Sequence, residues 1–231
     1  MSIIDRKARE ISRPLLEAVA NRLDKWHVTP NMATYFGMVL TTGVAVLAAL
    51  GEIRWAGVAY IFAAVFDAVD GTLARVTGKG SRFGAFLDST IDRFEESIVF
   101  LGLAIYYAQD GGLFEYPYEI PLILLATIGS LMVSYTRSRA EAVGVECKVG
   151  FMTRIPRVVV MIIGMVLDQV LITLVILAVT SLFTALHRMY HVWRMTGGEA
   201  GGWGPVQEPF VLPVPKTEES GEGQVGETAG Q

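Results

Sequence analysis

The chain has 231 residues, 52% of them hydrophobic and only 18% charged, with a formal net charge of −4 and a single cysteine. This composition excludes an intrinsically disordered chain and, lacking a basic surplus to meet phosphate backbones, a nucleic-acid-binding domain. One cysteine also excludes a disulfide framework or a cysteine-rich zinc site, and a mean hydropathy of +0.44 leaves a membrane protein.

In chain order, residues 1–30 carry Arg6, Lys7, Arg9, Arg13, Arg22 and Lys25 without an apolar core, so they are not a secretory signal. Ile3, Ile4, Ile11, Leu15, Val19 and Leu23 recur at roughly helical spacing, which predicts an amphipathic helix lying on the membrane surface. A bilayer core takes about 20 apolar residues per helix. Runs at 31–50, 55–74, 83–108 and 120–136 meet that need, the first opened by Thr29 as N-cap and Pro30 at the first helical position. The apolar block at 155–186 is broken at Asp168 and Gln169 and divides there into two helices. The expected fold is therefore all-α, a bundle of six transmembrane helices over residues 31–196. Residues 197–231, with six Glu, one Lys and many Gly and Pro, read as a disordered acidic tail.

Six spans put both termini on one side, and 18 Lys and Arg with them, against Arg54 alone on the other. The positive-inside rule makes the basic side cytoplasmic, so a multi-pass protein of the cell membrane is expected.

The informative residues are acids within apolar helices. Asp67 and Asp70 stand three apart, and Asp88 and Asp92 four apart, so each pair shares a helical face. The short connection from Thr77 to Ser81 makes the two helices antiparallel neighbours, and the four carboxylates can converge near the cytoplasmic end. Each buried Asp costs roughly 2.5–3.5 kcal/mol on insertion scales, and mutual repulsion adds to that. Protonation relieves the cost; so do divalent cations. Oxygen donors without His or Cys suit Mg²⁺ or Mn²⁺, and two such ions balance four Asp while keeping positions for phosphate oxygens. Gly71, Ala74 and Gly84 on the same faces allow a nucleotide or diphosphate to come close to the backbone.

The pattern Asp67-x-x-Asp70-Gly71-x-x-Ala74-Arg75, eight residues, Gly84-x-x-x-Asp88-x-x-x-Asp92 resembles the full signature of the CDP-alcohol phosphotransferase family. The resemblance implies a six-helix bundle with an N-terminal surface helix, usually a homodimer, that moves a phosphatidyl group from a CDP-linked lipid to an alcohol and releases CMP. It also implies that Asp67, Asp70, Asp88 and Asp92 hold the metals, with Asp92 the general base. Gly71 and Arg75 would contact the cytidine diphosphate, as would Asn31, Thr34 and Ser81.

Ser134-Tyr135-Thr136-Arg137-Ser138-Arg139-Ala140-Glu141, the segment Arg154-Ile-Pro-Arg157 and Arg188 before His191 and Trp193 are similar to the branch of that family that uses inositol phosphate as acceptor. That resemblance implies that Ser134, Arg137, Arg154, Arg157 and Arg188 hold the acceptor phosphate. Glycerol 3-phosphate, which needs the same positive charge, is the alternative acceptor. An acid-lined path for divalent cations is the non-enzymatic alternative, and prenyl transfer through a metal-bound diphosphate a third. Glu95 and Glu96, which follow Arg93, read as ion-pair partners rather than ligands, and Asp168 as part of an outer turn.

Overall fold

The computed structural model describes residues 18–109 and 111–197. Most of the expected surface helix, residues 1–17, and all but the first residue of the expected tail lie outside the described residues. Every regular element among the described residues is helical. Residues 18–25 are helical, and among the described residues six long or medium helices and one short one follow. They are α1 (Pro30–Ala49), α2 (Ile53–Thr77), α3 (Arg82–Gln109), α4 (Gly112–Glu115), α5 (Glu119–Ala142), α6 (Arg154–Val166) and α7 (Val170–Met195).

Local chemistry sets the ends of these helices. Thr29 accepts a hydrogen bond from the Met32 amide at 3.3 Å and Pro30 opens α1, as expected. α2 stops at Gly78, whose φ of 66° lies in the left-handed region that glycine adopts without strain. Ser81 then caps α3, its hydroxyl accepting from the Gly84 amide at 2.9 Å. The break near Asp168 is real. α6 ends at Val166, Asp168 takes a φ of 58°, and its carboxylate pairs with Arg54 at 3.3 Å.

α1 packs against α2 and α3, α5 against α7 and α3, and α6 against α2 and α7. The main apolar core runs through the bundle, with Val44, Tyr60, Phe100, Leu103, Met165 and Leu174 buried in it. Small residues let the helices come close. A methyl group on Gly102 would overlap the Ala45 carbonyl across the α1–α3 contact, and one on Gly57 would lie 2.8 Å from the Val166 amide. At the other end of the bundle core, Ala20 and Leu73 close over Ala33, and Lys79 pairs with Asp24 at 2.7 Å, which ties the helical residues before α1 to the α2–α3 turn.

Four helices, α1, α2, α5 and α7, are long and apolar enough to cross a membrane. α3 is long, but Arg82, Asp88, Asp92, Arg93, Glu95 and Glu96 crowd its N-terminal part. α6 has 13 residues and so spans about 20 Å at 1.5 Å per residue. The charges on α3 and the shortness of α6 are both features of the end where the carboxylates meet.

The close α1–α3 contact gives a direct test. Gly102→Ala should destabilise the protein by about 1–3 kcal/mol, whereas Gly43→Ala, whose added methyl meets nothing within 4 Å, should be neutral or slightly stabilising. Thermal melting of the two variants in the same detergent measures the difference.

Candidate active site

α2 and α3 bring the four aspartates together as their spacing requires. Oxygens of Asp67, Asp70 and Asp88 all lie within 4.8 Å of one another, and a second group of the same tightness joins Asp67, Asp92 and Glu95. Asp67 belongs to both. Glu95 was not expected as a ligand, yet it stands seven residues after Asp88 and three after Asp92, on the same face of α3. That spacing was the available signal.

The first group faces a pocket of about 190 Å³ that opens to solvent, lined by Asn31 and Thr34 of α1, Asp70, Gly71 and Ala74 of α2, and Ser81, Gly84 and Asp88 at the start of α3. Four of the five residues expected at a nucleotide, Asn31, Thr34, Gly71 and Ser81, are therefore neighbours. Thr34 donates to Asp70 Oδ2 at 2.8 Å, so its hydroxyl aims a carboxylate besides lining the pocket. A methyl on Gly84 would stand 3.1 Å from Asn31 Oδ1 and from Ser81 Oγ, whereas one on Gly71 would meet nothing and project into open space. Arg75, the fifth, is exposed on the last turn of α2, where it donates to Thr72 Oγ1 at 3.1 Å, and it does not line the pocket.

The second group is threaded by Arg154, the first residue of α6. Its Nη1 donates to Asp67 Oδ2 at 2.6 Å, and its Nη2 to Asp67 Oδ1 at 3.0 Å and Glu95 Oε2 at 2.9 Å. Asp92 Oδ1 lies 2.8 Å from the same Nη1 as an ion pair without the alignment of a hydrogen bond. On this side a mostly apolar cleft of about 290 Å³ opens between α1, α2 and α6, walled by Ala63, Val158, Val159 and Ile162 and floored by Asp67, Glu95 and Arg154.

The residues expected at an acceptor phosphate are not gathered. Arg157 is 2% exposed and bonded by Nε and Nη2 to the two oxygens of Glu96 at 2.6 and 2.8 Å, and by Nη1 to the Met152 carbonyl at 3.0 Å. Arg188 turns inward to the Val149 carbonyl at 2.9 Å and to the Val133 carbonyl. Arg137 pairs with Glu141 on the surface of α5, one turn beyond half-buried Ser134. Arg154 alone reaches the aspartates. Glu95 and Glu96 are indeed ion-paired, but their partners are Arg154 and Arg157 of α6.

The donor set fits divalent cations. It offers carboxylate oxygens only, in two groups sharing one residue, with Asp92 Oδ1 buried and free of hydrogen bonds. Asp67, Asp70 and Asp88 could hold one ion, and Asp67, Asp92 and Glu95 could hold another.

Comparison with known proteins places this geometry. The chain is 35% identical over 185 residues to the archaetidylinositol phosphate synthase of Pyrococcus horikoshii, covering 80% of this chain and 94% of that one. It is 33% identical over 193 residues to the phosphatidylinositol phosphate synthase of Corynebacterium glutamicum, covering 78% and 85%. The crystal structure of the Mycobacterium tuberculosis phosphatidylinositol phosphate synthase with CDP-DAG bound superposes with a TM-score of 0.72 at 29% identity, over 78% of this chain and 94% of that one. The same mycobacterial protein in complex with manganese and citrate gives 0.71 at 28%, over 77% and 88%. The sequence profile of CDP-alcohol phosphatidyltransferases matches residues 27–194, through all the long helices and both carboxylate groups, and the chain belongs to that family.

Proposed function

We propose that this chain transfers the phosphatidyl group of CDP-diacylglycerol to a hydroxyl of inositol phosphate and releases CMP. One observation carries the reading: Asn31, Thr34, Gly71 and Ser81 line a single pocket whose wall is completed by Asp70 and Asp88. The family match and the names of the relatives support the acceptor. They favour inositol phosphate over glycerol 3-phosphate, and group transfer over cation transport.

The chemistry follows from the chain's own groups. Gly71 and Gly84 leave room for the cytidine diphosphate beside the α2 and α3 backbones, and Thr34 keeps Asp70 pointed at it. The apolar cleft on the far side of Asp67 suits the acyl chains, so the diphosphate would lie across the carboxylates between the two clefts. Magnesium or manganese, two ions in this reading, would neutralise charge on the diphosphate and the departing CMP. Asp92, 13% exposed, takes the acceptor proton as that oxygen bonds to the phosphatidyl phosphorus. The phosphorus–oxygen bond to CMP breaks, and CMP keeps the electron pair. Arg75, one residue past Ala74 of the pocket wall, would reach a bound nucleotide from outside. Of Ser134, Arg137, Arg154, Arg157 and Arg188, the residues that the resemblance puts at the acceptor phosphate, Arg154 would meet it directly, with Arg157 holding Glu96 and Arg188 holding the Val133 and Val149 carbonyls behind it.

The same reading treats α3 and α6 as spans, giving six, with the carboxylates at the cytoplasmic face of the cell membrane and the N-terminal amphipathic helix on that surface. It takes the catalytic domain as residues 31–196 and the working unit as a homodimer.

Purified protein should release CMP from CDP-diacylglycerol with inositol phosphate, lose that activity on chelation and regain it with Mg²⁺ or Mn²⁺. Release with glycerol 3-phosphate but not inositol phosphate would reverse the acceptor assignment, and parallel reactions with the diether CDP-lipid would define the donor. Asp92→Asn should lower turnover by roughly 10²–10⁴-fold while binding of CDP-diacylglycerol, followed by calorimetry, persists. Gly71→Ala should melt at the temperature of the parent protein yet bind the CDP-lipid more weakly, because its methyl enters the pocket and touches nothing else.

A further inference from the structure

We infer that Arg154 is a resident counter-cation of the acidic cluster, and that a divalent ion enters the group of Asp67, Asp92 and Glu95 only by displacing it. The inference rests on the carboxylates being a divalent-cation site, and it goes beyond that reading by making the two ion positions unequal.

The two groups differ in what already touches them. Among the described residues no arginine or lysine forms an ion pair with Asp70 or Asp88, and the side-chain partner of Asp70 is the neutral Thr34. Asp67, Asp92 and Glu95, by contrast, each lie within 3.0 Å of an Arg154 nitrogen. Each carboxylate oxygen has two lone pairs, so Asp67 can serve an ion on its Asp70 side and Arg154 on its other side together. An ion drawn to Asp67, Asp92 and Glu95 at once must instead take the place of the guanidinium, because both would need the same oxygens and like charges repel at that range.

The side chain is built to leave. Arg154 Nε is buried without a hydrogen-bond partner, so only the carboxylates hold the guanidinium in place. Arg157, one turn further along α6, has Nε, Nη1 and Nη2 all bonded and stays as the fixed pin between α6 and α3. Arg154 is the first residue of its helix and 27% exposed, with room in the adjoining cleft to swing outward.

The test is Mn²⁺ binding to the purified full chain, with free ion measured by electron paramagnetic resonance and no substrate present. The parent protein should show a tighter and a weaker site. Arg154→Gln should tighten the weaker site by about tenfold or more and move the tighter one much less. Arg154→Lys keeps the charge but cannot fork across three carboxylates, so it should give a smaller tightening in the same direction. If Arg154→Gln does not fold, the lysine variant decides. A weaker site that is unchanged or loosened in every folded variant overturns the exchange. Absence of Mn²⁺ binding in the parent protein would instead overturn the cation-site reading beneath it.

Discussion

Five carboxylates crowd one end of this bundle, and the structure is organised around keeping them together. Two unit charges 4 Å apart repel by roughly 4 kcal/mol at an effective dielectric near 20, and Asp67 alone has four acidic neighbours in its two groups. Repulsion of that size must be met by positive charge. Within the protein it comes from Arg93 of α3, 3.3 Å from Asp92, and mainly from α6, whose first turn brings Arg154 to Asp67, Asp92 and Glu95, and Arg157 to Glu96. Arginines in the first turn oppose the dipole of their own helix, an arrangement that is reasonable only because the facing helix presents consecutive glutamates.

The α3–α6 relation is unusual for a helical bundle. Close backbone packing links α6 to α2 and α7, while α3 packs mainly on α1 and α5. Besides shared core residues such as Phe100 and Met161, α3 and α6 are joined by a pair of long side-chain bridges, Glu95–Arg154 and Glu96–Arg157. Removing one partner of such a buried pair costs far more than the pair itself contributes, because the remaining charge is stranded. The Glu96–Arg157 bridge therefore fixes the distance between the helix that carries Asp92 and the helix that carries Arg154.

Much of this was legible in the sequence. Helical periodicity and turn residues gave the helices, including the Thr29–Pro30 start of α1 and the break at Asp168, because both depend on interactions within a few residues. The aspartate spacing predicted one converging site, and the small residues predicted which neighbours would line a pocket. The roles of the arginines were not legible. Arg54 was counted only as a lone outer charge, and its pairing with Asp168 joins segments 114 positions apart. The resemblance puts Arg154 and Arg157 at the acceptor phosphate, and local sequence does not say that two acids 59 and 61 positions away on α3 pair with them. Arg75 fits the motif but faces outward, since the pocket takes Gly71 and Ala74 from one face of α2 and Arg75 lies off that face, bonded to Thr72.

The brevity of α6 has a consequence for the lipid around it. Thirteen residues cover about two thirds of a hydrocarbon layer roughly 30 Å thick. Where α6 is a span, as the proposed function takes it, a flank that short would draw the bilayer surface inward on that side, in a local dimple. On that same proposal a glycerophosphate beside Val159 and Ile162 would ride lower than its neighbours elsewhere on the rim, and its phosphorus would need a shorter vertical excursion to meet Asp67 while both tails stay in oil.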